Sequence, residues 1–260
     1  MTITPKQLIE RSNAIRGFPI NPIKLICSAH TLRIHDEVNH FNADRITEWL
    51  EPYCDLSPFE YQYPLNGITE GLNYWMFMEK RTIEMREGDY QWVQGKPEGD
   101  VIYWSYPSSI DGNYHDIPTH KPVILDLAYV ASTKIKKFEI PDNVEMVFFS
   151  LSKCFGVRNY RIGWAWTREP IRGFELLIRS AKYYNYYSMS LGEKLIELPI
   201  DLVYNTLEKY QKQLCNELKI TPSDTVWLAT SEDPIYNIKR RGNNPARLCL
   251  TDAIEELYRE

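Results

Sequence analysis

Apolar positions along the chain change their period several times. Residues 42–53 place Ile46, Trp49 and Leu50 at helical spacing, with Asn42 or Asp44 able to cap the start. Residues 68–80 predict a second helix, opened by Asn66-Gly67. Short apolar runs of strand character follow: Tyr90-Gln91-Trp92-Val93, Val101-Ile102-Tyr103-Trp104, Val123-Ile124-Leu125 and residues 145–150. Their continuous hydrophobicity predicts strands buried on both faces, as in a sheet covered by helices. Residues 170–187 and 190–218 predict two more helices, the second long and amphipathic. Beyond Pro222 the texture changes: residues 225–229 and 246–250 read as strands, and 252–259 as a closing helix. This order predicts a large α/β segment at about 60–190 and a small α+β segment after about 205.

Composition narrows the classes. The 260 residues are 43% hydrophobic and 13% aromatic, too apolar for a disordered chain. No apolar run approaches the ~20 residues that span a bilayer. The net charge of −5 argues against a protein built to grip a phosphate backbone. The first residues, Met1 to Lys6, lack an apolar core behind a basic start, and neither a signal nor a transit peptide is read there. The five scattered cysteines, with no Cys-x-x-Cys pair, predict a reduced, cytoplasmic protein. The histidines form no ligand cluster; His115 and His120 read as parts of a polar loop, and no metal site is expected.

Two motifs carry chemistry. Ser150-Leu151-Ser152-Lys153-Cys154-Phe155-Gly156 follows a buried strand, with Arg161-Ile162-Gly163-Trp164 just beyond. Asp126-Leu127-Ala128-Tyr129 ends another buried strand. Each is weak alone. In this order and after strands, they resemble the fold-type-I pyridoxal-phosphate (PLP) enzymes, and within those the aspartate-aminotransferase-like class I/II aminotransferases. In that family the Schiff-base lysine follows a Ser-x-Ser stretch, a glycine comes next and an arginine stands eight residues on. Lys153, Gly156 and Arg161 match that spacing.

The resemblance implies a three-layer α/β/α large domain with a mainly parallel sheet, spanning 61–204, and a small α+β domain over 205–260. Residues 1–60 would be a reduced N-terminal segment. It implies Lys153, Asp126 and Tyr129 as the catalytic set. An amine condenses with an aldehyde only when neutral, so Lys153 needs a desolvated site near positive charge, for which Arg161 is the candidate. A buried carboxylate at Asp126 would keep the cofactor's ring nitrogen protonated, and Tyr129 would reach its ring hydroxyl. Ser150, Ser152 and Arg161 would meet the phosphate, together with the turn and first helical N–H groups at Gly67, Ile68 and Thr69. Tyr90 would stack on the ring, with Trp92 as the alternative. Arg247, in Pro245-Ala246-Arg247-Leu248, would grip the substrate α-carboxylate. The Lys239-Arg240-Arg241 run reads as a solvated turn, one member of which could bind a second substrate carboxylate.

The chain departs from the family in places. Ser109 stands where the family's Asn-Pro-x-Gly turn puts an asparagine, leaving a shorter donor for the ring hydroxyl. The stretch from Tyr90 to Val101 is too short for the usual linking helix, and the whole chain is compact for the family. The implied function is a PLP-dependent aminotransferase working on amino acids and 2-oxo acids. A lyase or decarboxylase on the same residues, or a shortened PLP-binding relative without turnover, are the alternatives. Family members are homodimers with active sites at the interface, and Tyr183-Tyr184-Asn185-Tyr186-Tyr187 is the candidate contact.

Overall fold

The computed structural model describes residues 3–12, 15–31, 43–90 and 95–260. Asn42, Trp92 and the rest of the strand expected at 91–93 lie outside them; Tyr90 is described and belongs to no strand.

The fold is α/β. A six-stranded sheet runs in the order β1-β6-β5-β4-β3-β2. Its strands are β1 (Tyr61–Leu65), β2 (Ile83–Glu84), β3 (Val101–Ser105), β4 (Val123–Asp126), β5 (Val144–Ser150) and β6 (Gly163–Thr167). The pairs β2–β3, β3–β4 and β4–β5 are parallel, while β6 is antiparallel to both β5 and β1. Alternate residues feed two layers of core, as the pleat requires. Met146 and Phe148 face a layer with Leu72, Trp75 and Phe174; Val147 and Phe149 face the other, with Ile46, Leu50 and Leu191. The first layer comes from α4 (Ile68–Glu79) and α6 (Arg172–Phe174), the second from α3 (Ala43–Leu50) and α7 (Tyr186–Leu195).

Three further strands, β7 (Thr221–Pro222), β8 (Leu228–Ser231) and β9 (Ala246–Cys249), make a small antiparallel sheet. It is flanked by α8 (Leu202–Leu218) and α9 (Thr251–Arg259). The N-terminal α1 (Pro5–Arg11), opened by a Thr4–Gln7 capping box, packs on β9. There Ser12 Oγ accepts from Cys249 N–H at 2.5 Å, and Arg11 pairs with Glu256 at 2.6 Å. The second helix, α2 (Asn21–Thr31), lies against α7. One continuous core, from Ile3 to Ile254, joins the two sheets.

Several sequence expectations need correction. Residues 170–187 are not one helix. After α6 the chain takes wider π turns over Glu175–Ser180, and Lys182 at φ +51° ends the run. Asn185, accepting from Ser188 N–H, caps a new helix, α7. The long helix expected at 190–218 is split because Pro199 lies between α7 and α8. The strand expected at 225–229 begins later, at Leu228. Neither β1 nor β6 was expected. Pro64 argues against a strand in sequence, but β1 is an edge strand, where a missing N–H is tolerated.

The topology sets the site. The parallel strands β3, β4 and β5 end at the same edge, with Ser105 beside Asp126 and Asp126 beside Phe148. Antiparallel pairing brings Gly163 beside both Ser150 and Leu65. The turn at Gly67, the end of β4, the start of α5 (Leu151–Cys154) and Arg161 therefore meet at the carboxyl edge of the sheet, where α/β proteins gather their ligands.

Candidate active site

At that edge is a cavity of about 160 Å³. It is lined by Gly67, Ile68, Thr69, Tyr90, Ser109, Asp126, Tyr129, Ser150, Ser152, Lys153 and Arg161, every residue the resemblance pointed to as a cofactor contact. Tyr103, Ala128 and Arg158 line it too and had not been singled out. A roomier cleft of about 500 Å³ lies between residues 133–136 and α8, but there Lys212 is already paired with Glu208 at 2.6 Å.

Asp126 is buried at the end of β4. Its Oδ1 accepts from Ala128 N–H at 2.8 Å, and its Oδ2 accepts the Tyr103 hydroxyl. Burial pushes its carboxyl up to about 6, against the pull of those two donors. Asp89 adds to the rise and Lys153 opposes it. The Tyr103 phenol is raised well above its usual range, chiefly by burial and then by Asp126.

Lys153 sits in α5, just past the end of β5. Its Nζ donates to the backbone oxygen of Ile15 at 2.5 Å, and its own carbonyl accepts Trp227 Nε1–H at 2.9 Å. Burial pushes the amine down to about 8. Arg158 and Arg247 push the same way, and Cys249 and Asp126 oppose. This corrects one expectation: the positive charge that acts on Lys153 comes from Arg158 and Arg247, not from Arg161. Arg161 turns to the other side of the cavity. Its guanidinium lies so close to Gly67 that a Cβ there would come within 2.5 Å of Nη2. Gly67 itself is at φ +88°, open to glycine and strained for other residues.

Ser150 caps α5, its Oγ accepting from Ser152 N–H at 3.1 Å and lying 2.8 Å from Ile162 O. On the facing wall Tyr90 shares a 2.6 Å hydrogen bond with Thr69 Oγ1, and its ring stacks on Tyr103 at 6.3 Å. Tyr129 is buried, which raises its phenol, while Arg247 opposes that rise.

Ser109 does not offer its hydroxyl to the cavity: Oγ donates to Asp89 Oδ1 at 2.6 Å. Its carbonyl accepts from Arg247 Nη1, also at 2.6 Å. Arg247 lies behind this contact and does not line the cavity. In the 239–241 run, expected as a solvated turn, Arg240 is half-buried and pairs with Glu232 at 2.5 Å. Arg241 instead turns inward and donates to Gly88 O at 2.6 Å.

Sequence could have flagged Arg158, a cation five residues after Lys153. Tyr103 carried no signal beyond strand periodicity. Among the described residues no group of three or more His, Cys, Asp or Glu is placed to hold a metal ion.

No protein-family model and no curated protein matches the chain. Solved structures do. An aminotransferase from Staphylococcus aureus superposes with a TM-score of 0.65 at 13% identity, covering 93% of this chain and 90% of that one. The aspartate aminotransferase of Rhizobium meliloti gives 0.63 at 12%, covering 84% and 73%. A histidinol-phosphate aminotransferase from Sinorhizobium meliloti, solved with pyridoxal-5'-phosphate, gives 0.61 at 12%, covering 100% and 95%. The chain has the fold-type-I aminotransferase fold. Among the described residues the likeness extends to the N-terminal helices, where sequence alone showed little resemblance. At these identities it speaks for the fold; the chemistry rests on the cavity.

Proposed function

We propose that the chain is a PLP-dependent aminotransferase that moves an amino group between an amino acid and a 2-oxo acid. The observation that carries this reading is the meeting, in one cavity, of a buried carboxylate and a desolvated amine from the ends of adjacent parallel strands. The residues fit the cofactor. Lys153 would anchor it through Nζ, Asp126 would face its ring nitrogen, Tyr129 its ring hydroxyl and Tyr90 its ring. The glycine turn at Gly67, with Ile68, Thr69, Ser150, Ser152 and Arg161, would take its phosphate.

Bound there, pyridoxal 5'-phosphate would supply an aldehyde carbon and a protonated ring that draws electrons from the substrate's Cα. The rest falls to this chain's own groups. Asp126, ionised above about pH 6 and itself buried, would hold a positive partner away from solvent. Arg247 would exchange the Ser109 carbonyl for the substrate's α-carboxylate and so orient it. Lys153 Nζ, released from Ile15 O, would take the Cα proton as a base and deliver it as an acid. An amine held near 8 is suited to both tasks close to neutral pH.

The test is to incubate the full chain with PLP, reduce with borohydride and look for the added mass on Lys153. Release of 2-oxo acid from an amino-acid panel is then followed in wild type and Lys153→Ala. An unmodified lysine and no cofactor absorbance would sink the proposal. One observation supports a second reading, a PLP-binding relative without turnover: the Ser109 hydroxyl is committed to Asp89. Cofactor uptake without 2-oxo acid release would favour it. A lyase or decarboxylase would regenerate PLP in a single turnover, where transamination leaves pyridoxamine phosphate.

The proposal includes a homodimer in the cytoplasm. Phe77, Leu176 and Tyr183 are more than half exposed, and Tyr184 packs on Tyr186 at 4.4 Å, which supports the 183–187 stretch as part of a contact. None of the five cysteines is in a disulfide, which suits a reducing compartment. Among the described residues no helix is long and apolar enough to cross a membrane.

A further inference from the structure

Tyr103 carries a hydroxyl where packing needs none. β3 places it in the core layer of Leu72, Trp75, Ile124 and Phe148. A phenylalanine would fill the same space, and a phenol buried without a partner costs free energy. The buried Tyr103 hydroxyl has its partner in Asp126 Oδ2, to which it donates. The direct neighbour of Asp126 across the β3–β4 ladder is Ser105, and that hydroxyl goes elsewhere, to Asp89 Oδ1 at 2.9 Å. Oδ2 is thus held from the residue two places back on the same face of β3. Oδ1 is held by Ala128 N–H at 2.8 Å. Donors from two elements, β3 and the loop after β4, therefore fix the plane of the carboxylate. An ionised carboxylate has further acceptor sites, which remain for a partner in the cavity that Asp126 lines.

Tyr103 is itself braced. Its ring stacks on Tyr90, with centroids 6.3 Å and planes 24° apart, and the Tyr90 hydroxyl shares a 2.6 Å bond with Thr69 Oγ1 at the start of α4. Burial and Asp126 raise the Tyr103 phenol well above its usual range, so it stays a neutral donor. The other titratable groups around Asp126 are Asp89 and Tyr90 after β2, Tyr129 after β4 and Lys153 on α5. Asp89 disfavours the charge on Asp126 and Lys153 favours it, so these two oppose each other. The hydrogen bonds that offset burial come from Tyr103 and Ala128.

We infer that Tyr103 is a positioning residue for Asp126: its hydroxyl aims the carboxylate at the cavity and stabilises it there as the anion. This rests on the aminotransferase reading, which gives that anion its task of facing the cofactor's ring nitrogen.

The test uses the full chain without cofactor. Aspartate is isotope-labelled at its carboxyl carbon, and the Asp126 NMR signal is identified by its loss in Asp126→Asn. Its titration midpoint, about pH 6 in wild type, should rise by about one to two pH units in Tyr103→Phe, the scale of a hydrogen bond to a charged group. Tyr53→Phe is the control. It also removes a buried phenol hydroxyl, which donates to Thr133 O at 2.8 Å, and it should leave the midpoint in place. Stability carries the same signature. Above about pH 4 the unfolded chain has lost this proton, whereas the folded chain keeps it up to its own midpoint. Wild type and Tyr103→Phe therefore lose stability in parallel up to about pH 6, and only the variant goes on losing it beyond. The gap between their melting temperatures should open between about pH 6 and 8. An unmoved midpoint in Tyr103→Phe, or a gap that does not change with pH, overturns the proposal, because a hydroxyl that only packs alters neither. An equal shift of the midpoint in Tyr53→Phe overturns it too. Fluorescence titration with PLP separates this role from the reading beneath it. PLP uptake by wild type with an unmoved midpoint in Tyr103→Phe sinks the role of Tyr103 alone. A moved midpoint in a chain that takes up no PLP sustains the Tyr103–Asp126 pairing and sinks the aminotransferase reading alone.

Discussion

Lys153 Nζ donates to the backbone oxygen of Ile15 at 2.5 Å, so the amine at the end of β5 is held by a segment 138 residues earlier in the chain. That bond gives the amine a resting partner in a pocket where burial disfavours its charge. Attachment of an aldehyde needs the neutral amine. With a pKa near 8, about a tenth of the population is neutral at pH 7, against roughly one in three thousand for an ordinary lysine. The borohydride-trapped adduct is therefore expected to form faster as pH rises, with a midpoint near 8. Mass spectrometry of quenched samples from pH 6 to 10 measures it. A profile still climbing steeply at pH 10 would mean the amine is not desolvated as the geometry requires.

Asp126 makes a prediction with two opposite signs. Its folded-state carboxyl is near 6, above the ordinary 3.8, chiefly because it is buried. The folded protein therefore keeps that proton longer than the unfolded chain. Stability falls as pH rises from about 4 to about 6, and the full cost, on the order of 3 kcal/mol, is present above that window. Asp126→Asn keeps an acceptor for Ala128 N–H, replaces the oxygen that accepts the Tyr103 hydroxyl with an N–H donor to that hydroxyl, and removes the buried charge. Without cofactor, this variant should melt at a higher temperature than wild type at pH 8, and the gap should shrink toward pH 4. With PLP present the order should reverse, because the ring nitrogen loses its counter-charge. Thermal scans at the two pH values, with and without PLP, check both signs.

The strand-end motifs made much of this site legible in the sequence. Asp126 and Ser150–Lys153 each follow a buried apolar run, and parallel pairing brings such ends together. Gly67 announced a turn before a helix, and Arg161 was found because its spacing from Lys153 matches the pattern of the family the chain resembles. What stayed hidden came from long-range contacts. The Ile15–Lys153 bond links residues with no shared motif, and the commitment of Ser109 to Asp89 needs β3 and the loop before it in place. Arg241 read as solvated because local sequence cannot show that Gly88 leaves room for it. The helix expected at 170–187 failed because Lys182 takes a left-handed conformation that periodicity does not signal.

Gly156 is held by the same N-terminal segment as Lys153. It lies at φ +68°, and a Cβ there would come within 2.4 Å of the backbone carbon of Phe18 and 2.7 Å of its nitrogen. Those are main-chain atoms, so the clash cannot be relieved by a rotamer. Gly156→Ala is expected to cost about 2–4 kcal/mol, combining the positive φ with a displaced backbone. Displacing Phe18 also shifts Ile15 away from Lys153. Denaturant unfolding should show the loss of stability, and hydrogen exchange should rise in residues 15–20. A variant as stable as wild type would mean this close approach is absent in solution.

The phosphate cradle separates geometry from charge. Arg161 is exposed and rests against the Gly67 turn, with nothing of the core depending on it. Arg161→Gln should leave thermal stability within about 0.5 kcal/mol of wild type, as for a surface change. It should weaken PLP binding about ten- to hundredfold, the scale of a lost charge-assisted hydrogen bond. Gly67→Ala should weaken PLP binding too, by pushing the guanidinium off the turn, but with a stability cost of about 1–3 kcal/mol because φ is +88° there. Pyridoxal, which lacks the phosphate, is the control: its affinity should be nearly the same in wild type and Arg161→Gln. Fluorescence titrations with PLP and pyridoxal measure the contrast. If Arg161→Gln weakens both ligands equally, the arginine does not read the phosphate and the cradle is assigned to the wrong end of the cavity.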